Sequence, residues 1–272
     1  MNKEINIAGK KIFYRVIGNG KPVMLVHGFG ETGDVWKNQV EYLKDKFQLI
    51  IPDLPGSGKS ELIDDMSMEG MAEVLKNIIL NESSPTPPLG GWGVIGHSMG
   101  GYITLAFAEK YPQWLNSFGL FHSTAFADSE EKKATRRKGI EFIKEHGPYE
   151  FLKNTTPNLF APNTKSENQA LIDDFIRHLN NFSAQSLVSY YEAMMQRPDR
   201  TGILKNSTIP VLFILGKYDN AIPLEDNLEL CSMAEKAYIN ILKKSGHMGM
   251  LEEPMESDKM LEEFLKQNMA SH

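Results

Sequence analysis

Apolar and polar residues alternate over Ile5–Ile7 and again over Ile12–Ile17, with Ala8-Gly9-Lys10 between them, which predicts an antiparallel hairpin. Beyond it the period changes. Short unbroken apolar runs occupy Val23–Val26, Leu49–Ile51, Gly93–Ile95, Phe118–Phe121 and Val211–Leu215. A strand that does not alternate is covered on both faces, as in a parallel sheet flanked by helices. Helical segments separate the runs at Trp36–Asp45, Met68–Leu80 and Met99–Lys110, the last stopped by Tyr111-Pro112. Ser83–Pro88 reads as a loop. The expected class is α/β, with a mostly parallel central sheet flanked by helices.

Between Thr124 and Ile203 the strand signals vanish. Four helix-like pieces follow, Asp128–His146, Tyr149–Lys153, Asn168–Asn180 and Ala184–Gln196, punctuated by Gly147-Pro148 and Thr156-Pro157. Residues 124–203 are therefore expected to form an all-helical cap over a core domain made of residues 1–123 and 204–272. The strand and helix alternation resumes at Ile209-Pro210, includes Tyr238–Leu242, and ends in a helix over Glu256–Asn268.

A chain of 272 residues buries roughly 73% of its unfolded surface, enough for one core without disulfides or structural metal. Its 29 basic and 35 acidic residues leave a formal charge of −6, which argues against nucleic acid as a partner, since phosphate binding needs a basic face. The single cysteine, Cys231, allows no internal disulfide and fits a reducing compartment. Buried apolar filler in a helix is favoured for it over a reactive thiol. The opening MNKEINIAGKKIFYR lacks the apolar stretch of a secretory signal, and no run reaches the ~18–20 apolar residues of a membrane span. The expectation is a soluble cytoplasmic protein, monomer or homodimer.

The strongest chemical signal is Gly93-Val94-Ile95-Gly96-His97-Ser98-Met99-Gly100-Gly101. It places G-x-S-x-G directly after an expected strand and before an expected helix, the setting of a nucleophile elbow. The turn lifts the Ser98 hydroxyl clear of the sheet, leaves no room for side chains two residues to either side, and aims helix N–H groups at developing negative charge. His27-Gly28-Phe29-Gly30 follows the run Val23–Val26 and offers a second backbone donor, so Phe29 and Met99 are the candidate oxyanion-hole N–H groups. Asp219 lies just past the run Val211–Leu215, and His247 lies in a Gly-flanked loop after Tyr238–Leu242. The chain order is Ser98, Asp219, His247.

With these motifs the chain resembles the α/β-hydrolase fold family, in particular its capped serine hydrolases such as carboxylesterases and lactonases. The resemblance covers roughly residues 20–123 and 203–272. It implies Ser98 as nucleophile, His247 as base, Asp219 as its orienting acid, and no metal or organic cofactor. It further implies hydrolysis of a small-molecule acyl substrate, a carboxylic ester, lactone or thioester, through an acyl-enzyme. The same three residues also suit C–C or amide hydrolysis or acyl transfer, and a non-catalytic ligand receptor of the same fold is a rival from another class.

Other residues compete for roles. His97 is read as sheet packing, and His27 as holding its loop. His146 and His178 belong to the insertion, and His272 is terminal. Asp128 is a weak alternative acid, because some relatives carry the acid near the position of Ser123. Gly58-Lys59-Ser60 resembles the end of a phosphate loop, but Asp53 stands where that loop needs glycine. The charged run Glu130–Lys138 reads as a solvated helix face. His122, Tyr190, Met194 and Met248 are the candidate pocket residues. For His122 a structural role is favoured; for Tyr190 and Met194 pocket lining and packing of cap on core stand level.

Overall fold

The computed structural model of the chain describes residues 1–83 and 91–269. Strands β1 (Asn2–Ile7) and β2 (Lys10–Ile17) form the hairpin. Its turn residues Ala8 and Gly9 have φ of 52° and 84°, the double positive φ that matches a two-residue turn to the twist of its strands. The remaining strands are β3 (Pro22–Val26), β4 (Gln48–Pro52), β5 (Trp92–His97), β6 (Leu115–Phe121), β7 (Val211–Gly216) and β8 (Ala237–Leu242). They lie in one eight-stranded sheet in the order β1-β2-β4-β3-β5-β6-β7-β8. The pairs β1–β2 and β2–β4 are antiparallel, and every other pair is parallel.

The unbroken apolar runs have the cause that the pattern suggests. Neighbours in β3 feed opposite sides of the sheet, Met24 and Val26 one apolar layer, Val23 and Leu25 the other. The first layer is closed by α2 (Met68–Glu82) and α3 (Met99–Lys110), and the second by α1 (Lys37–Leu43) and α12 (Pro254–Asn268). The helix expected over Trp36–Asp45 spans Lys37–Leu43 and follows a 3-10 turn, Gly33–Trp36, opened by the Thr32 hydroxyl. The edge strands β1 and β8 are less buried than the strands between them, as their positions require. The loop expected at Ser83–Pro88 falls almost wholly in residues 84–90, outside the described residues, as does His272.

Between β6 and β7 the chain forms only helices: α4 (Glu130–His146), α5 (Pro148–Thr155), α6 (Pro162–Glu167), α7 (Gln169–Arg177), α8 (Ala184–Gln196) and α9 (Thr201–Lys205). Helix α9 straddles the boundary expected at residue 203. Just before it, Arg200 N–H donates to Ala125 O (2.8 Å) and its Nε to Glu109 Oε2 (2.9 Å), so entry and exit of the insertion are clipped together onto α3. The charged run is not wholly solvated either: Arg136 turns inward and binds Asp128 Oδ2 through Nε at 2.6 Å. Two further short helices, α10 (Leu224–Cys231) and α11 (Gly249–Glu252), follow β7 and β8. Cys231 is buried at the end of α10, and burial pushes its thiol up to about 11. Among the described residues no helix is long and apolar enough to cross a membrane.

Candidate active site

Ser98 joins β5 to α3 with φ 51° and ψ −116°. A non-glycine residue held there costs about 1–3 kcal/mol, which the surrounding structure must impose. The glycines around it are dictated by space. A Cβ on Gly96 would lie 2.2 Å from Gly100 O, and one on Gly100 would lie 2.4 Å from Val26 O. The turn therefore presses directly on the end of β3, from which His27-Gly28-Phe29-Gly30 continues.

The three sequence-selected polar residues meet at the carboxyl ends of β5, β7 and β8. Ser98 Oγ is 2.9 Å from His247 Nε2, and His247 Nδ1 is 2.8 Å from Asp219 Oδ2. Asp219 Oδ1 accepts the Ala221 and Ile222 N–H groups, each at 2.9 Å. Because the carboxylate only accepts, Nδ1 carries the imidazole proton and Nε2 turns a lone pair toward the serine hydroxyl. Burial alone would push the Asp219 carboxyl up, but His247 and His122 beside it hold it well below the usual range. Burial opposes charge on His247, yet Asp219 outweighs this and raises the imidazole above its ordinary value.

The loop after β3 comes against the nucleophile: a Cβ on Gly28 would fall 3.2 Å from Ser98 Cβ. His27 holds that loop, its Nδ1 donating to Gly28 O (2.8 Å) and its Nε2 accepting Leu54 N–H (2.9 Å). The Phe29 and Met99 N–H groups have no backbone acceptor among the described residues outside regular elements. Ser123 donates to Ser98 O at 2.7 Å, and the alternative acid Asp128 is occupied by Arg136 and Arg197, away from His247.

The pocket candidates are all buried, with His122 in the structural role favoured for it. His122 is fully buried with φ 48°, and its Nε2 accepts Gly249 N–H at 3.2 Å. Its Nδ1 lies 3.2 Å from Asp219 Oδ2 without hydrogen-bond alignment, and burial pushes its pKa down to about 4, so it stays neutral. It sits behind the acid. Met248 is fully buried in the second apolar layer with Phe121 and Phe160. Tyr190 donates to Pro55 O (2.6 Å) and accepts from Ser57 Oγ (2.8 Å), while Met194 is buried in the first apolar layer. Both belong to the contact between insertion and sheet domain. His97, expected as sheet packing, lies edge-on to Trp36 and Phe121 and also hydrogen-bonds to the carbonyl oxygen of His247 at 2.9 Å.

Sequence reading missed two carboxylates and an aromatic contact. Glu252 Oε1 accepts Gly246 N–H (2.8 Å) and Met248 N–H (3.3 Å), on either side of His247. Its Oε2 accepts Ala161 N–H (2.8 Å) and Thr164 Oγ1–H (2.6 Å) in the insertion. Glu31, buried behind Gly28, is the second. The Phe29 ring stacks on Tyr191 with centroids 4.4 Å apart and meets Phe151 edge-on at 6.3 Å, fastening α5 and α8 over the loop.

The family described as the alpha/beta hydrolase fold matches residues 21–120. Lipase 1 of Psychrobacter immobilis is 27% identical over 92% of this chain and 79% of its own length. A solved thermophilic esterase from Thermogutta terrifontis superposes with a TM-score of 0.90 at 28% identity, covering 99% of this chain and 100% of that one. The enol-lactonase of Burkholderia xenovorans LB400 superposes at 0.86 with 20% identity, covering 97% of this chain and 100% of that one. Strand order, likeness over nearly the whole length and the matched segment agree, and the chain has the alpha/beta hydrolase fold.

Proposed function

We propose that the protein is a serine hydrolase that cleaves carboxylic esters, lactones included, through an acyl-enzyme on Ser98. The observation that carries this is the aligned row from Ser98 Oγ to His247 Nε2 and from Nδ1 to Asp219, at 2.9 and 2.8 Å, beginning on a turn of positive φ. The names of the similar proteins, a lipase, an esterase and an enol-lactonase, point to the same substrate class.

In this mechanism neutral His247 takes the Ser98 proton as the hydroxyl oxygen attacks the carbonyl carbon. Asp219 fixes the tautomer and stabilises the imidazolium that forms. The oxyanion accumulates between the N–H groups of Phe29 and Met99, each worth roughly 10²–10³-fold in kcat. His247 returns its proton to the leaving alkoxide, then activates water to release the acid and free Ser98. Helices α4–α8 act as the cap, with the Phe29, Tyr191 and Phe151 rings forming its contact with the oxyanion loop.

The test is hydrolysis of p-nitrophenyl butyrate. Ser98→Ala is expected to reduce turnover by at least about 10³-fold with the fold intact. A loss below tenfold makes the serine dispensable and overturns the reading.

A further inference from the structure

Glu31 and His97 are buried side chains that join the oxyanion loop, the nucleophile turn and the His247 loop yet take no proton in the mechanism above. Glu31 is 4% exposed and His97 is fully buried. Glu31 Oε2 accepts Gly28 N–H at 2.7 Å, one residue before the proposed donor Phe29. The same oxygen is 3.0 Å from His97 Nδ1, one residue before Ser98. The opposite ring nitrogen, Nε2, lies 2.9 Å from the carbonyl oxygen of His247 itself. One side-chain pair therefore reaches the oxyanion loop, the nucleophile turn and the base.

The hydrogens constrain the pair. A carbonyl oxygen only accepts, so Nε2 carries a proton. Burial would push the Glu31 carboxyl up, but His97 and the Gly28 N–H hold it below the usual range. His97 Nδ1 and Glu31 Oε2, 3.0 Å apart, share a hydrogen bond in the interior. Such a pair resists loosening, because removing one partner leaves the other's buried polar atoms unpaired. The space is equally closed: a Cβ on Gly28 would lie 3.0 Å from His97 Nδ1 and 3.1 Å from Glu31 Oε2.

We propose that Glu31 and His97 are positioning residues which, as one hydrogen-bonded pair, hold Phe29, Ser98 and His247 in mutual register. The proposal rests on the serine-hydrolase reading for its kinetic consequence, and on geometry alone for its structural one. Neither residue touches the reacting atoms. Their loss is therefore expected to appear in kcat and to leave KM nearly unchanged.

Three measurements test this. In Glu31→Ala, kcat for p-nitrophenyl butyrate is expected to fall about 100-fold with KM within threefold, and its crystal structure to show the Ser98 Oγ–His247 Nε2 hydrogen bond lost. Glu31→Gln keeps an acceptor for Gly28 N–H but replaces the carboxylate beside His97 Nδ1 with a neutral amide. It is expected to lose about tenfold in kcat, with nitrogen NMR showing altered His97 ring nitrogens relative to the parent protein. Retention of the Ser98–His247 hydrogen bond in Glu31→Ala overturns the proposal whatever the activity. If Glu31→Ala does not fold, unchanged kcat and an unchanged His97 ring in Glu31→Gln overturn it instead. Turnover that survives Ser98→Ala defeats the serine reading separately, and the crystal structure of Glu31→Ala still decides the role of the pair.

Discussion

At the scale of single residues, the site depends on one imidazole tautomer. Asp219→Asn keeps the shape of the side chain but presents an N–H to His247 Nδ1, which turns the imidazole proton toward Ser98. The expected outcome is a kcat lower by roughly 10³–10⁴-fold with KM little changed, read from steady-state kinetics. The acidic limb of kcat/KM follows from the same contact. In the proposed mechanism His247 works as a neutral base, so activity is expected to fall as pH drops through its pKa. Asp219 raises that pKa, so the limb is expected above the ordinary value of about 6.5, and a pH profile with its midpoint below 6 contradicts the assignment. Ser98, Asp219 and His247 were legible in the sequence because each needs a particular neighbourhood: glycines at 96 and 100, the end of an apolar run, a loop flanked by glycine. Glu31 and Glu252 left no such mark. Each acts by accepting amide hydrogens from loops that are remote or unremarkable in sequence, and burial of a carboxylate is invisible until the loops close on it.

At the scale of elements, the strands were readable and several helices were not, for one physical reason. A strand buried on both faces is apolar along its length, as β7 is. Helices of four to eight residues, such as α6, α10 and α11, show too few turns for an apolar stripe to repeat, and tertiary packing holds them. The packing of α1 on α12 carries a testable electrostatic cost. Gln39 Nε2 donates to Asp258 Oδ1 at 2.9 Å, while Gln39 Oε1 is buried without a partner. Burial pushes the Asp258 carboxyl up from 3.8 to about 6. Folding therefore favours the protonated form, and the penalty appears as pH rises from about 4 through 6 and persists above. Asp258→Asn is expected to stabilise the protein by roughly 1–2 kcal/mol at pH 8 and to change little at pH 4, measured by urea denaturation. A stabilisation that grows as pH falls contradicts this.

For the whole molecule, the decisive relation is between the helical insertion and the sheet domain that carries the polar row. They meet through the Phe29–Tyr191 stack, the Tyr190 hydroxyl, and Glu252, which grips both the His247 loop and the start of α6. Tyr190→Phe leaves Pro55 O and Ser57 Oγ without their partner, at a cost of about 1–3 kcal/mol. The melting temperature is expected to fall by about 2–8 °C and limited proteolysis within α4–α8 to accelerate; an unchanged melting curve contradicts the contact's importance. The central claim, however, is covalent. Mixing the protein with excess p-nitrophenyl butyrate and following p-nitrophenol from the first milliseconds, with mass spectrometry of the quenched protein, addresses it most directly. The account predicts a butyryl group on Ser98, formed no more slowly than turnover and absent in Ser98→Ala. Steady turnover with the acyl group on another side chain, or on none under conditions where deacylation is rate-limiting, contradicts it.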